Sequence, residues 1–268
     1  MQFTAVPITD ATTIHQRRVE YLRALSAPLD GWWEGTSIAR SAFWAIRADG
    51  HDAGHCCLNA DNVLLRFSLT ADYQPRATAI FDRLLVEHGI EQAIVSTSES
   101  PFFAQCLDRQ RRIVPLSYLF RDARRVPLPP GLERYQFRQA HPRDLAAIVE
   151  FYRANADATG DGTVSFLRER LDRDELFGLY DGARQLASGE CIPSRLQPPY
   201  ADLGMVVARE ARGQGFARTT LIQMKDHCYT HDWQPICSCA ADNAASKRAI
   251  ERAGFSSNHR LVTVSFVE

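Results

Sequence analysis

Apolar and polar positions follow one order of predicted elements, and that order occurs twice along the chain. In the second half, apolar residues at helical spacing alternate with short apolar runs that are typical of buried strands. A hairpin turning at Asp181–Gly182 precedes two strand-and-helix pairs. The predicted elements are the strand RYQFRQA, the helices HPRDLAAIVEFYRANA and SFLRERLD, the hairpin LFGLYDGARQLASGECI, the strand ADLGMVV, the helix FARTTLIQMKDHCYTH, the strand PICSCAA, the helix NAASKRAIERAG and the strand NHRLVTVSF.

The first half repeats this order with different residues. Its predicted elements are the strand QFTAVPI, the helix TTIHQRRVEYLRAL, the hairpin SAFWAIRADGHDAGHCCL, the strand NVLLRFSL, the helix ATAIFDRLLVEH, the strand EQAIVS, the helix PFFAQCLD and the strand VPLSYLF. Such repetition predicts an internal duplication at the level of the fold. The predicted class is α/β, with two tandem domains that each hold a mixed, twisted sheet flanked by helices.

A proline-rich segment separates the halves. PLPPG at 127–131 cannot continue a helix or a central strand. We therefore predict a domain at 1–123, a linker at 124–133 and a second domain at 134–268. The short segment after Phe255 has room for one strand, so either each half closes with one strand or the halves share an edge.

Composition narrows the possible partners. The net charge of −1 over 268 residues argues against binding to nucleic acid or to an acidic membrane. No signal peptide or membrane span is apparent. Seven cysteines without paired spacing favour buried thiols in a reducing cytoplasm. His227 and His231 would share a helix face, but no further ligand is evident nearby, so we expect no metal.

The segment RGQGFA, Arg212–Ala217, lies where a buried strand gives way to a helix. A helix N-terminus presents unpaired N–H groups and a partial positive charge, and glycines before it let a phosphate approach the main chain. The segment lacks the Lys-Ser/Thr of the nucleotide P-loop, and Arg218 occupies the third glycine position of the dinucleotide fingerprint. A pyrophosphate cradle is one interpretation, and a tight turn that needs glycine for its geometry is the other.

With Val207 before RGQGFA and NAASKRAIERAGF after the next strand, the second half resembles the Gcn5-related N-acetyltransferase (GNAT) superfamily. The first half resembles it only in element order. The resemblance implies that acetyl-CoA, or another acyl-CoA, is the donor and lies where strands ending near Val207 and Ala240 splay apart. The implied binding residues are Val206, Val207, Arg212, Gly213, Gln214, Gly215, Phe216, Ala217, Asn243 and Ser246.

The first half departs from the family pattern at the corresponding loop. Its residues 74–79 read QPRATA, so Ala77 replaces a glycine and Pro75 removes an N–H donor. No asparagine follows the strand ending at Ser96. We predict that this half keeps the fold, has lost cofactor binding and serves as a scaffold.

Transfer to an amine needs the neutral amine, so a general base is expected. Asp202 is the first candidate. Because side chains alternate along a strand, Asp202 is expected on the sheet face opposite that of Val207, whereas family members with a glutamate here tend to keep it on the other face. A β-bulge in this strand would reconcile the two. A solvated strand-end carboxylate is the alternative reading of Asp202, and Glu190 is the second candidate base. At the position where many family members have a tyrosine that serves as the general acid, this chain has Ile250. Other acid candidates are Tyr200, Cys239 and Tyr229, each of which could equally be a packing residue.

We expect an N-acyltransferase in which a primary amine, preferably of a small molecule, attacks the donor directly in a ternary complex. Alternatives are a non-catalytic acyl-CoA-binding or regulatory protein and an aminoacyl- or long-acyl-transferring relative. Acceptor contacts are predicted in 155–166 and 193–200, with aromatic surface from 30–37 as an addition. The chain is expected to be a monomer or a homodimer.

Overall fold

A computed structural model describes residues 3–156 and 161–267, without the side chain of residue 161. Two units, each with its own core, make up the chain. The N-terminal unit runs to Leu119 and includes the chain from His259 onward, and the C-terminal unit is Phe120–Asn258. This division differs from the predicted domain at 134–268, because the closing segment belongs to the N-terminal unit.

The N-terminal unit contains the elements predicted for the first half. They are β1 (Phe3–Ile8), α1 (Ala11–Arg23), β2 (Ala42–Ala48), β3 (His51–Leu58), β4 (Leu64–Leu69), α2 (Ala77–His88), β5 (Gln92–Ser96), α3 (Ser100–Leu107) and β6 (Arg112–Asp122), whose last residues belong to the C-terminal unit. Strands β1 to β4 pair antiparallel, and β5 is parallel to β4. Short helical turns at Trp33–Arg40 were not predicted, and burial of Trp33 and Ile38 holds them in place.

The C-terminal unit contains the elements predicted for the second half. They are β7 (Gln136–Gln139), α4 (Leu145–Asn155), α5 (Asp161–Asp172), β8 (Leu176–Asp181), β9 (Arg184–Pro193), β10 (Tyr200–Val207), α6 (Phe216–Thr230), β11 (Gln234–Ala240), α7 (Ala244–Arg252) and the start of β12 (Phe255–Ser265). The predicted mixed sheet flanked by helices is thereby confirmed. None of the described helices combines the length and apolarity needed to cross a bilayer.

The closing strand resolves where the short C-terminal segment goes. Leu261–Ser265 of β12 pairs antiparallel with β5, and Val262 and Val264 enter the core of the N-terminal unit. The end of the chain therefore completes the sheet of the first half.

The sheet of the C-terminal unit opens at one point. Strands β9 and β10 pair antiparallel, from Ala187 opposite Val207 to Pro193 opposite Ala201. In contrast, β10 pairs in parallel with β11 only over Tyr200–Asp202, although β10 continues to Val207. Beyond Asp202, the described residues give β10 no strand partner on that side, and this opening positions the site.

A buried lysine anchors the segment that connects β6 to β7. Lys225 on α6 is 2% exposed, and its Nζ donates to the carbonyls of Arg124 at 2.8 Å and Ala253 at 3.0 Å. Its Nζ also lies 2.6 Å from Oδ1 of Asp122. Because these acceptors compensate the buried ammonium, the start of the linker is fixed to the C-terminal unit.

Candidate functional site

A cavity of about 800 Å³ lies in the C-terminal unit, next to the point where β10 leaves β11. The end of β10, the loop Arg212–Ala217 (the glycine loop), the first turn of α6 and most of α7 line it. We call this cavity the cleft. All the binding residues predicted from the family pattern line it: Val206, Val207, Arg212, Gly213, Gln214, Gly215, Phe216, Ala217, Asn243 and Ser246.

The glycines of the loop have a conformation that L side chains rarely adopt. Gly213 has φ +78° and Gly215, which directly precedes α6, has φ +90°. A Cβ at Gly215 would lie 3.3 Å from Leu132, whereas one at Gly213 would meet nothing within 4 Å. The tight-turn interpretation is therefore correct for the backbone, and the same geometry keeps side chains away from the cleft.

No described side chain caps the N-terminus of α6. The main-chain N–H groups of its first turn lack intrahelical partners and carry a partial positive charge. This edge of the cleft can therefore accept an anion.

The Arg212 side chain contacts main-chain carbonyls on both sides of the cleft edge. Its Nη2 donates to the carbonyl of Asn155 at 2.7 Å, and its Nε donates to that of Val207 at 3.3 Å. Asn155 Oδ1 in turn accepts from the N–H of Arg209 at 2.8 Å. These bonds tie the glycine loop to the end of α4, a positioning role that the sequence did not reveal.

Asn243 caps α7. Its Oδ1 accepts from the N–H of Ser246 at 3.0 Å. The predicted contact residue thus also fixes the helix that forms the far wall of the cleft.

The bulge that would move Asp202 is not observed. The register of β10 against β9 runs without a shift from Ala201 to Val207, so Asp202 stays on the face opposite Val207. It shares that face with Gly204, which pairs with Glu190. Neither carboxylate is among the residues that line the cleft.

Glu190 has the more developed environment of the two carboxylates. Its Oε1 accepts a hydrogen bond from the hydroxyl of Tyr152 on α4 at 2.6 Å. A Cβ at Gly204 would lie 3.2 Å from Glu190 Oε2, so this glycine makes room for the carboxylate. Burial raises the pKa of Glu190, and the bond from Tyr152 lowers it in part. Tyr152 was missed because nothing in the sequence links residues so far apart.

The residues considered as the acid are mostly packing residues. Ile250, in the tyrosine position, is 1% exposed, and Cys239 is also buried. The Tyr229 hydroxyl donates to Asp122, and burial raises the pKa of Tyr229. The described contacts therefore do not identify a general acid.

The remaining predicted features have mixed outcomes. The ring of His231 stacks on Trp233, and the ring of His227 lies next to it at a tilt of 47°. The described residues hold no group of three or more metal-binding side chains. In the predicted acceptor loop 155–166, residues 157–160 lie outside the described part of the chain. Trp32 is 64% exposed whereas Trp33 is buried.

The corresponding point of the N-terminal unit is built differently. Ala71–Arg76 forms a helical turn that contains Pro75, and Ala77 is buried at the start of α2. The side-chain amide of Gln74 donates to the carbonyl of Leu69 at 3.1 Å. A side chain of the unit thus occupies the main-chain acceptor at the end of β4.

Comparisons with known proteins place both halves in one group. Two family models described as "Acetyltransferase (GNAT) domain" match residues 10–123 and 129–256. No curated protein matches the chain in sequence.

Solved structures agree over the whole length. An acetyltransferase of the GNAT family from Colwellia psychrerythraea is 29% identical, with all of both chains covered and a TM-score of 0.91. A tandem GNAT protein from the clavulanic acid biosynthesis pathway is 14% identical over 100% of this chain and 99% of its own, with a TM-score of 0.65. A GCN5-related N-acetyltransferase from Sphaerobacter thermophilus is 15% identical over 99% and 96%, with a TM-score of 0.67. The last two likenesses concern the fold alone.

Proposed function

Because the chain belongs to the GNAT acetyltransferase family, with two of its domains in tandem, we propose that it is an acyl-CoA-dependent N-acyltransferase. Acetyl-CoA is the proposed donor, and the C-terminal unit is the proposed catalytic domain. The observation that carries the proposal is the convergence of the glycine loop, the end of β10 and the start of α7 on one cleft.

The cleft suits the parts of an acyl-CoA. The N–H groups around Gly213 to Ala217 would hold the pyrophosphate, because no Cβ at the glycines blocks the approach. The pantetheine arm would lie along β10 beyond Asp202, where β11 has diverged, and pair with main chain as an added strand would. A volume of about 800 Å³ is within the range of small-molecule sites.

Glu190 is the proposed general base, and Asp202 is the alternative. Glu190 lies opposite Gly204, past the last paired residue of β10 and β11. Its raised pKa makes the carboxylate a stronger base than an exposed glutamate. In the proposed reaction the amine attacks the thioester carbonyl, the amine proton passes to the base directly or through water, and the CoA thiolate leaves. Holding the amine and the thioester together supplies much of the acceleration.

A primary amine of a small molecule is the proposed acceptor. Glu190 lies among side chains of β9, β10 and α4, a position that favours a slim acceptor over a folded protein. A cytoplasmic location is proposed as well, since all seven cysteines are free and buried.

The test is release of CoA thiol from acetyl-CoA with a panel of amines, measured against reactions without amine. An acyltransferase releases thiol above background with at least one amine class and forms the matching amide. A protein that binds acetyl-CoA without releasing thiol with any amine would instead be the binding or regulatory protein that Ile250 favours. Turnover only with aminoacyl or long-acyl donors would identify the remaining alternative.

A further inference from the structure

The linker forms a defined turn next to the cleft. The N–H of Leu132 donates to the carbonyl of Pro129 at 3.1 Å, and Gly131 has φ +82°. Proline at the second position and glycine with positive φ at the third position are typical of a type II turn, and Pro130 and Gly131 occupy these positions. The sequence itself therefore sets the shape of this segment. We call residues 129–132 the proline turn.

Contacts on both sides hold the proline turn in the C-terminal unit. Before it, the N–H groups of Ala123 and Arg124 both donate to the carbonyl of Gly254, two residues after α7, at 3.1 Å. After it, the ring of Tyr135 lies edge-to-face against Phe216, the first residue of α6, with 5.0 Å between the ring centroids. The linker is therefore attached to the C-terminal unit at both ends.

Two side chains of the proline turn reach the cleft. Pro129 and Leu132 are among the residues that line it. Leu132 is half-buried and packs against the apolar core that includes Phe216. Its Cδ1 lies 3.3 Å from the point where a Cβ at Gly215 would be, so the leucine covers the residue that directly precedes α6.

The contact between Leu132 and Gly215 affects how the glycine loop can bind an anion. Gly215 has φ +90°, and glycine has more backbone freedom than any other residue. The N–H groups at the start of α6 converge on one anion only while the loop keeps this shape. Arg212 fixes the loop from the side of α4, through its bond to Asn155, and Leu132 fixes it from the side of the linker.

We propose that the proline turn is a positioning element of the donor site, in which Leu132 holds the glycine loop in the conformation that binds the diphosphate of the donor. This inference rests on the proposed function, which assigns the diphosphate to that loop. The linkage is reciprocal. If the formed turn strengthens donor binding by some factor, the bound donor stabilises the formed turn by the same factor.

Gly131→Ala tests the role of the turn without a change inside the cleft. Gly131 does not line the cleft, and a Cβ there would meet nothing within 4 Å, so the substitution acts through the cost of positive φ. Acetyl-CoA should bind about three- to tenfold more weakly in titration calorimetry. Gly182→Ala is the matched control, because Gly182 also has positive φ and open space outside the cleft.

Leu132→Ala removes the contact itself. It should weaken acetyl-CoA binding about tenfold, and Leu132→Met, which keeps most of the side-chain volume, should restore most of the affinity. Leu128→Ala is the matched control, because Leu128 is a half-buried leucine of the same linker that does not line the cleft.

Wild type provides a measurement that needs no variant. Amide hydrogen exchange in a peptide covering residues 126–135 should slow by up to about tenfold when acetyl-CoA saturates the protein, because the donor stabilises the formed turn.

The outcomes separate this inference from the proposed function. If wild type binds acetyl-CoA but Gly131→Ala and Leu132→Ala bind it equally well, or if the ligand leaves exchange in 126–135 unchanged, the positioning role is wrong and the proposed function stands. Equal losses in Gly182→Ala or Leu128→Ala would also overturn the positioning role. If wild type binds no acetyl-CoA, the proposed function itself fails, and this inference fails with it.

Discussion

In each unit two parallel strands separate at the corresponding place in the sheet, and the side chains beside the opening differ between the units. Among the described residues, β10 of the C-terminal unit pairs with β11 over Tyr200–Asp202 only. In the N-terminal unit β4 pairs with β5 at a single position, where Leu64 lies opposite Ala93. The opening is thus a property of the shared fold. What it binds depends on the side chains that the sequence places there.

In the N-terminal unit a buried charge cluster takes that place. Glu99 precedes α3 as Asn243 precedes α7, and its carboxylate accepts bonds from the Tyr21 hydroxyl and the Ser96 N–H. Arg66 precedes the strand end by three residues, as Gly204 does in β10, and its buried guanidinium pairs with Glu34. Charged groups of the N-terminal unit therefore lie at positions that correspond to Gly204 and Asn243 of the C-terminal unit.

The comparison implies that glycine at a few positions distinguishes the proposed binding unit from the proposed scaffold. Gly204 makes room for Glu190, and the glycine loop exposes main chain. In the other unit, Arg66, Gln74 and Glu99 supply side chains at the corresponding points. Loss of binding in the N-terminal unit stays a prediction, and the following changes would break or sharpen it.

The largest effect is expected for Gly213→Glu. A carboxylate beside the diphosphate adds like-charge repulsion of several kcal/mol, so acetyl-CoA binding should weaken about 1,000-fold in titration calorimetry. Gly182→Glu is the matched control, because Gly182 also has positive φ and open space but does not line the cleft. Equal losses in both variants would mean that backbone strain, and not the anion site, causes the effect.

Glu190→Gln should reduce kcat/KM about 100-fold while acetyl-CoA affinity stays near wild type. In wild type, kcat/KM should rise with pH as Glu190 loses its proton, at a pH above the usual glutamate range. Tyr152→Phe removes the bond that lowers this pKa, so the rise should move to still higher pH. An unchanged profile in Tyr152→Phe, or full activity in Glu190→Gln, would point to Asp202 or another base.

A smaller effect, per pH unit, concerns the stability of the N-terminal unit. Burial raises the pKa of Glu99 to about 7, against about 4.3 in an unfolded chain. Between these values the folded state holds an additional proton, so this contribution to stability falls as pH rises, by up to about 1.4 kcal/mol per pH unit. His55 acts in the opposite direction, because burial lowers its pKa to about 3.

The contribution of Glu99 is isolated by comparing wild type with Glu99→Gln in urea unfolding from pH 4.5 to 8. The free-energy difference between the two proteins should change with pH up to about 7 and level off above it. A difference that is constant over the whole range would show that Glu99 is ionised throughout and that burial does not raise its pKa.

The sequence predicted elements well and pairings across elements poorly. Periodicity identified β10 and α6, and glycine spacing identified the loop between them, because both signals are local. Three other features depend on residues that are distant in sequence. They are the pairing of β12 with β5, the hydrogen bond from Tyr152 to Glu190 and the hydrogen bond from Arg212 to Asn155.

The most direct test of the central claim is the stoichiometry of acetyl-CoA binding to the full-length chain in titration calorimetry. One site per chain is predicted, because in the N-terminal unit the side chain of Gln74 occupies the main-chain acceptor at the end of β4. Two sites per chain, or one site that persists undiminished in Gly213→Glu, would contradict the account.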